Sequence, residues 1–290
     1  MKRWSLPLAL LVVATTLSGC TSTGGLDLSQ LQNTITTVKH AVAPVDQQEE
    51  EEIGRDAAAI LLGASKPIGD PAVQRYVNKV GLWVALQSER PDLNWHFAVV
   101  DSDDIDAFAA PGGYVFLTRG LLLHLHSEAE LAGVLGHEIT HVVLKHHLQE
   151  LQRAARLDLA SQAVQYQLQQ NGQGGGAALF NQIAGATRNL YSKGLDKDDE
   201  FAADRAGVVL AARAGYDPYG LVAVLQTLES LDPKSGKLQL LIATHPTPSD
   251  RIAALTAAMG ERLDKYGSQQ EGQERFQRVI KSLAATSAVK

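Results

Sequence analysis

Residues 127–149 have the sequence SEAELAGVLGHEITHVVLKHHLQ, which decides how the rest of the chain is interpreted. Ser127 followed three residues later by Glu130 is a capping box, which predicts that a helix begins here and runs to Gln149. The apolar residues of this stretch surround the helix axis instead of forming one stripe. We therefore expect the helix to be buried in the core of the domain.

The predicted helix contains the pentapeptide His137-Glu138-Ile139-Thr140-His141. Two histidines four residues apart lie about 40° from each other around a helix, so both imidazoles can reach one metal ion. Glu138 lies about 100° from His137, beside that ion, where it can accept a proton. Zinc lowers the pKa of a bound water to about 7 and polarises a carbonyl group. The pentapeptide therefore predicts a site for one Zn²⁺ per chain that is suited to amide hydrolysis.

A zinc site of this kind needs a third protein ligand, for which the sequence offers two kinds of candidate. His146 and His147 follow the pentapeptide, but on an unbroken helix they point about 180° and 80° away from its first histidine. In the metzincin class of zinc peptidases the third ligand is a histidine at the position of His147, but that class needs a glycine at position 144 to turn the chain. This chain has Leu144 there. The other candidate is Glu200, which lies at the start of a helical pattern and is followed one turn later by a second acid. This arrangement suits a metal ligand and a carboxylate that contacts a ligand. An ordinary acidic helix start explains the same residues, so periodicity alone leaves this ligand open.

The sequence divides into an N-terminal extension, one domain over residues 46–265, and a C-terminal tail or helix over residues 266–290. Periodicity and turn residues predict the following elements. Helices are expected over Asp46–Leu62, Asp70–Gln87 and Asp198–Ala214, and strands over Trp95–Val100 and Tyr114–Thr118. We therefore predict an α+β domain that is mainly α-helical, with a small β-sheet and the buried helix. Residues 165–176 are rich in Gln and Gly, which predicts a mobile loop or lid.

The N-terminus has the features of a secretory signal. Two basic residues precede an apolar run over residues 6–17, which is shorter than the roughly 20 residues that a spanning helix needs. Leu17-Ser18-Gly19-Cys20 resembles the bacterial lipobox, which implies a signal peptide over residues 1–19 and lipidation of Cys20. A tether is predicted over residues 20–45. Thr21 stands where inner-membrane lipoproteins have Asp, which favours a lipid anchor in the outer membrane, facing the periplasm.

Composition excludes several other classes of protein. The 290 residues carry a formal net charge of −6, with no clustered basic surplus of the kind that nucleic-acid binding requires. The single cysteine excludes a disulfide framework and a cysteine-based zinc site. No segment after the signal approaches the apolar length of a membrane span, so we expect contact with the membrane through the lipid anchor only.

Several separated motifs together resemble those of the M48 (Ste24/Oma1-like) metallopeptidases. They are His137-Glu138-x-x-His141, Glu200-x-x-Ala203-Asp204, Ala214-Gly215-Tyr216-Asp217-Pro218, and His245-Pro246 with Arg251, preceded by Ala107–Val115. The resemblance covers roughly residues 50–260 and implies a zincin-type domain. It implies zinc ligands at His137, His141 and Glu200, a general base at Glu138, and Asp204 in contact with a ligand. Asp106 stands where the family usually has Asn, and Asp196-Lys197 where many relatives have Ser-Arg.

The resemblance also implies a function, a zinc endopeptidase of the bacterial cell envelope that acts on unfolded or misassembled envelope proteins. We expect the substrate to pair as an extended strand with the sheet edge near Ala109, Gly112 and Gly113. His245 is expected near the cleft, where it stabilises an oxyanion or binds the zinc as a fourth ligand in a latent state. A loop histidine held by the backbone is the alternative for His245.

Two other functions remain open at this point. One is a lipoprotein chaperone or assembly factor whose zinc site is latent or structural, with His245 as the fourth ligand. The other is a zinc amidase that acts on cell-wall peptides. The remaining histidines outside the helix are interpreted as structural or surface residues, namely His40, His96, His124 and His126.

Overall fold

The computed structural model describes residues 44–156, 185–187, 189–267 and 269–287. The predicted signal peptide, Cys20, the tether up to residue 43 and the predicted loop at residues 165–176 lie outside the described residues. None of the helices in these four ranges is long and apolar enough to cross a membrane.

The described chain is mainly helical and contains one small sheet, which confirms the predicted α+β fold class. The strands are β1 (His96–Val100), β2 (Ala107–Ala110) and β3 (Tyr114–Thr118). The first helices are α1 (Gln47–Ala64), α2 (Pro71–Ala85), α3 (Arg119–His124), α4 (Glu128–Val143) and α5 (146–156). They are followed by α6 (Lys197–Arg213), α7 (Gly220–Ser230), α8 (Gln239–Thr244), α9 (Pro248–Met259) and α10 (Gln273–Ser287). Residues 185–187 and 189–193 are also helical.

The sheet has the strand order β1-β3-β2, so β2 is an edge strand. β1 runs parallel to β3, whereas β2 pairs with β3 in the antiparallel direction through the turn at Pro111–Gly113. One face of the sheet packs against α2 and α4 in the main apolar core. This arrangement places β2 next to the helix that carries the histidine pentapeptide.

Helix α4 is buried along nearly its whole length, as predicted from its apolar residues. It packs most closely on α6, because glycines of the two helices face each other. A Cβ atom added to Gly136 would lie 2.6 Å from the Gly207 carbonyl oxygen, and one added to Gly207 would lie 2.6 Å from the His137 nitrogen. Only glycine allows the two backbones to approach this closely. The contact brings the first turns of α6 beside the pentapeptide.

The prediction that this helix continues to Gln149 is wrong. Helix α4 ends at Val143, and Lys145 adopts the left-handed conformation with φ 60° before α5 begins at residue 146. No glycine or proline marks this break in the sequence. Instead the Lys145 ammonium lies 2.8 Å from Oε2 of the fully buried Glu50 on α1, so a tertiary ion pair holds the turn.

Two other helices begin near a proline, but their caps differ. Thr247 caps α9 through its side-chain oxygen, and Pro248 is the first helical residue. Asp217 and Pro218 do not begin the next helix directly. The Asp217 carboxylate accepts a hydrogen bond from the Tyr219 N–H, and α7 starts at Gly220.

The C-terminal segment forms a helix that packs into the main core. Phe276, Ile280 and Leu283 of α10 are buried in the same apolar cluster as residues of α2 and α4. Arg275 forms an ion pair with Glu128 at the start of α4. Of the two forms predicted for residues 266–290, a tail or a helix, the structure has the helix over Gln273–Ser287.

Candidate metal centre and active site

Three predicted ligands meet where α4 faces the first turn of α6. The Nε2 atoms of His137 and His141 lie 3.0 Å apart. The carboxylate of Glu200 lies 3.6 Å from each of them, Oε2 from His137 and Oε1 from His141. Ligands that bind zinc at 2.0–2.1 Å in a tetrahedron lie about 3.3–3.4 Å from one another. The spacing of the three side chains is therefore that of ligands around one zinc ion.

A buried carboxylate and arginine hold the first histidine in position. Oδ1 of Asp204, one turn after Glu200, lies 2.8 Å from His137 Nδ1. Arg251 from α9 binds Asp204 through Nε at 2.9 Å and Nη2 at 2.5 Å. Burial would raise the pKa of Asp204, but the charge and hydrogen bonds of Arg251 outweigh it and lower that pKa.. An ionised Asp204 accepts the Nδ1 proton of His137, which leaves the Nε2 lone pair available to a metal.

The second histidine is backed by a residue that follows the helix break. His146 Nδ1 lies 3.0 Å from His141 Nδ1, and His146 Nε2 lies 3.5 Å from the Asp199 carboxylate. The turn at Lys145 reverses the direction that an unbroken helix would give His146. His146 is therefore a partner of a predicted ligand, a role that the sequence analysis did not assign to it.

The residues present fit a zinc ion on their own chemistry. Glu200 is 1% exposed, and its Oε2 has no hydrogen-bond partner within the described part of the chain. Burial raises the pKa of Glu200 to about 8, although the positive charge of Arg251 opposes this rise. Burial lowers the pKa of His137 and, more strongly, that of His141, so both imidazoles are neutral at pH 7. Two neutral imidazoles and one carboxylate are the donor set of many catalytic zinc sites.

Glu138 lies beside this cluster and lines the same cavity as His141 and Glu200. Its side chain is 3% exposed. Burial raises the pKa of Glu138 well above the ordinary value, and the negative charge of Glu200 raises it further. A carboxylate with a raised pKa is a better proton acceptor at neutral pH than an ordinary glutamate.

His245 lies close to both Glu200 and the ring of His137. Its Nε2 is 3.5 Å from Glu200 Oε2, and its Nδ1 is 2.9 Å from the Thr244 hydroxyl. The possible ligand atoms of His137, Glu200 and His245 all lie within 4.8 Å of one another. The geometry thus brings a third imidazole to the predicted metal centre.

Comparison with known proteins identifies the family. Residues 71–259 match the model of peptidase family M48. The chain belongs to this family. The resemblance inferred from the motifs is therefore confirmed.

Three relatives show how much of this chain, and how much of each relative, the similarity covers. The beta-barrel assembly-enhancing protease of Escherichia coli (strain K12) is 30% identical over 71% of this chain and 42% of the relative. Mitochondrial metalloendopeptidase OMA1 of Arabidopsis thaliana is 30% identical over 71% of this chain and 40% of the relative. Metalloprotease YcaL of Escherichia coli (strain K12) is 27% identical over 87% of this chain and 95% of the relative. The chain spans less than half the length of the first two relatives and nearly all of YcaL.

The residues expected to form the substrate strand of this M48 domain separate into two groups. Ala109 lies in the edge strand β2, where its carbonyl accepts a hydrogen bond from the Tyr191 hydroxyl. Gly112 and Gly113 lie in the turn after β2, and both are buried. A Cβ atom on Gly112 would lie 2.8 Å from the Glu51 Cα of α1. Because α1 covers the turn, the two glycines are not accessible to a peptide. Of the three residues expected to pair with the substrate, only Ala109 lies in the edge strand β2.

His147 and Tyr191 line the cavity but were not predicted to do so. Their rings stack with centroids 5.3 Å apart, and the His147 ring lies 5.3 Å from that of His141. His147 Nδ1 is buried without a hydrogen-bond partner in the described ranges. The assumption of an unbroken helix excluded His147 from the site, and no local signal in the sequence contradicts that assumption.

The histidines interpreted as structural or surface residues contact local groups in the three cases that the structure describes. The His96 ring stacks on Tyr114. The Nδ1 atom of His124 lies 2.7 Å from the Gly120 carbonyl oxygen, and that of His126 lies 3.4 Å from the Glu130 carboxylate. His40 lies outside the described residues.

Proposed function

We propose that this M48 chain is a zinc-dependent endopeptidase of the bacterial cell envelope. The observation that carries the proposal is the position of Glu138, an intact buried carboxylate beside three ligand-spaced side chains. A purely structural zinc site has no use for a proton acceptor at that position. The two histidines and Glu200 by themselves would suit either a structural or a catalytic zinc site.

His137, His141 and Glu200 would hold the zinc ion. The Nε2 atoms of both histidines and the Glu200 carboxylate face one another at 3.0–3.6 Å, and Asp204 and His146 contact the histidines from behind. When bound there, zinc supplies Lewis acidity toward the scissile carbonyl and favours ionisation of water at neutral pH.

Glu138 carries the proton transfers in this proposal. Its raised pKa suits a group that accepts the proton of the attacking water and then donates it to the leaving amine. Because the same carboxylate both receives and returns the proton, one residue serves the two halves of the hydrolysis. No second general acid is required.

An extended peptide would reach Glu138 along the edge of β2, which pairs with no other strand in the described ranges. Backbone pairing with a sheet edge binds peptides of many sequences, because it uses main-chain groups. A chain that pairs with this edge displaces the Tyr191 hydroxyl from the Ala109 carbonyl. Such a site would select unfolded or misassembled proteins, because folded proteins rarely offer an extended backbone.

The cellular context is also a proposal. The lipobox-like sequence before Cys20 and Thr21 supports a lipid anchor in the outer membrane, with the domain in the periplasm. The name beta-barrel assembly-enhancing protease, given to a relative of which the chain covers 42%, supports misassembled envelope proteins as substrates. Their hydrolysis would be a form of protein quality control.

One observation favours a second candidate function. His245 Nε2 lies close enough to Glu200 to join the ligand set, and a fourth protein ligand would close the zinc site to water. In that state the protein would act as a lipoprotein chaperone or assembly factor with a latent or structural zinc site. Displacement of His245 would separate the latent state from the active one.

The test compares full-length protein with its Glu138→Gln variant, purified in detergent and assayed for zinc content and for casein cleavage. Loss of cleavage at one zinc per chain in the variant supports the endopeptidase. Retained proteolysis in Glu138→Gln would refute the proposed base, and absence of zinc would refute the site.

His245→Ala distinguishes the second candidate. If neither wild type nor Glu138→Gln cleaves casein, gain of cleavage in His245→Ala identifies a latent enzyme. Release of peptides from cell-wall fragments but not from casein would favour the zinc amidase instead.

A further inference from the structure

The end of helix α2 has an apolar outer surface. Seven large apolar side chains are exposed in the described part of the chain, and three of them lie within one turn here. They are Leu82 at 44% exposure, Trp83 at 52% and Leu86 at 55%. Single exposed apolar residues are common on proteins, but a contiguous group marks a binding surface. Because the opposite face of α2 is buried in the main core, this group cannot turn inward.

A hydrogen bond fixes the exposed indole of Trp83. Its Nε1–H donates to the Ala214 carbonyl, at the end of α6, at 2.7 Å. The polar atom of the ring therefore has a partner within the protein, while about half of the residue stays accessible to solvent. Exposed tryptophan rings are enriched where one part of the ring meets an apolar phase and another part meets polar groups, as at a membrane surface.

Two basic residues continue this surface along α2. Arg75, Lys79, Leu82 and Leu86 follow one another at spacings of four, three and four residues, which places them on one face of the helix. Both basic side chains are exposed, and neither has an ion pair within the described ranges. Residues 71–88 contain no Asp or Glu, although the whole chain carries a net charge of −6. The surface is therefore basic as well as apolar.

We propose that this α2 outer face, formed by Arg75, Lys79, Leu82, Trp83 and Leu86, lies on the surface of an anionic lipid bilayer. Leucine and tryptophan enter the boundary between headgroups and acyl chains, and the basic groups contact the lipid phosphates. The charge of the face is complementary to such a surface and opposite to that of the chain as a whole. This inference goes beyond the proposed peptidase function, because it concerns how the domain sits on the membrane.

The N-terminal extension is long enough for this contact. Residues 21–43 join the predicted lipid anchor at Cys20 to the first described residue, and a chain of this length spans up to about 80 Å when extended. An anchor of this reach does not select one face of the domain. The α2 outer face supplies that selection.

The contact also keeps the metal centre clear of the lipid. Glu200 lies in the first turn of α6, whereas Ala214, which binds Trp83, follows the last turn. At 1.5 Å per residue, these two positions are about 21 Å apart along the helix. The α2 outer face and the cleft therefore lie at opposite ends of α6.

Brominated lipids test the contact, because bromine on the acyl chains quenches a tryptophan that enters the bilayer. Full-length protein is reconstituted from detergent into vesicles of phosphatidylglycerol and phosphatidylcholine, with ordinary or brominated acyl chains. The emission of wild type minus that of Trp83→Phe isolates Trp83, since Trp4 and the buried Trp95 are common to both proteins. We expect bromine to lower this difference about twofold, because tryptophan rings lie at headgroup level. Thermal melts identify any loss of fold.

The basic residues are tested by removing their charges. Arg75→Gln with Lys79→Gln should weaken the contact about twentyfold, since each basic side chain near an anionic surface contributes about fivefold. The quenched fraction of Trp83 emission measures this loss. Arg55→Gln with Lys234→Gln is the matched control, because it removes two exposed basic residues from other parts of the domain. It should leave the quenching unchanged. Vesicles of phosphatidylcholine alone should weaken the contact of the wild type.

Each result supports or overturns the proposal. Quenching of Trp83 that falls in the Arg75→Gln, Lys79→Gln protein but not in its control supports it. Protein that floats with the vesicles while Trp83 stays unquenched overturns it and leaves the lipid anchor intact. Equal quenching in the wild type and the Arg75→Gln, Lys79→Gln protein overturns the anionic surface as the partner. A dimer in detergent that Trp83→Phe abolishes, without quenching by lipid, assigns the face to a second copy of the chain instead.

Discussion

Both ends of α4 are held by a buried glutamate, but the two glutamates come from different parts of the chain. At the N-terminal end, Glu128 of the helix itself binds Arg275 and the hydroxyls of Tyr76 and Tyr216. At the C-terminal end, Glu50 of the distant α1 binds Arg90 and Lys145. The position where α4 begins follows from a local sequence signal, because Ser127 caps the helix. The position where α4 ends is determined by tertiary contacts alone.

The difference matters because the metal centre lies near the second end. Glu50 also accepts a hydrogen bond from the Gly112 N–H at 3.3 Å, and Arg90 reaches the Val142 carbonyl at 3.4 Å. One carboxylate therefore connects α1, the turn after β2 and the break that directs His146 toward His141. We expect changes at Glu50 to disturb the site, and changes at Glu128 to disturb stability alone.

The largest effect is expected for Glu50→Ala. The substitution leaves Arg90 and Lys145 without their shared partner and opens a cavity at a fully buried position. We expect a loss of about 3 kcal/mol in the free energy of unfolding, measured in urea, together with weaker zinc retention. Glu52→Ala, at an exposed position on the same helix, is the control and should change stability by less than about 0.5 kcal/mol. If Glu50→Ala were as stable as wild type and retained zinc, Glu50 would not hold the C-terminal end of α4. The proposed difference between the two ends would then be wrong.

Glu128→Gln is expected to have a smaller effect that does not reach the metal centre. The amide keeps the shape of the side chain but loses the ion pair with Arg275 and weakens the hydrogen bonds from the hydroxyls of Tyr76 and Tyr216. We expect a loss of about 2 kcal/mol in unfolding free energy at unchanged zinc content. Glu274→Gln, at an exposed position of α10, is the matched control. Loss of zinc in Glu128→Gln would contradict the separation of the two ends.

The contribution of Glu128 should also depend on pH. Burial would raise its pKa, but the hydrogen bonds from Arg275, Tyr76 and Tyr216 outweigh burial and lower it. A carboxyl whose pKa is lower in the folded state stabilises the protein above its unfolded pKa of about 4.3, and that contribution is lost as the pH falls through the folded pKa. We expect the stability difference between wild type and Glu128→Gln to be constant near pH 7 and to shrink below about pH 4. Urea titrations across this range measure it, and a difference that grows toward acid would contradict the sign.

The same contrast explains what could be predicted from the sequence. The cap at Ser127 and the pentapeptide are local patterns, and they predict the buried helix and two of the three side chains that meet at ligand spacing. The acidic start of α6 leaves the third ligand open, and only the resemblance to the M48 peptidases implies Glu200. The break at Lys145 depends on a glutamate 95 positions earlier in the chain, whose partner no periodicity reveals. His146, His147 and Tyr191 were therefore missed, because their positions follow from that break and from tertiary packing.

The smallest expected effect concerns Lys145 itself. A residue other than glycine in the left-handed conformation costs about 1 kcal/mol, and Lys145 has φ 60°. Lys145→Ala and Lys145→Gly both lose the ion pair with Glu50, but only glycine also relieves the backbone. We therefore expect Lys145→Gly to be about 1 kcal/mol more stable than Lys145→Ala in urea unfolding. The same two substitutions at Arg205, an exposed position inside α6, should show the opposite order, because glycine is about 1 kcal/mol worse than alanine within a helix. If alanine were the more stable residue at both positions, the turn at Lys145 would not be left-handed in solution, and His146 would point away from His141 as the unbroken helix predicts.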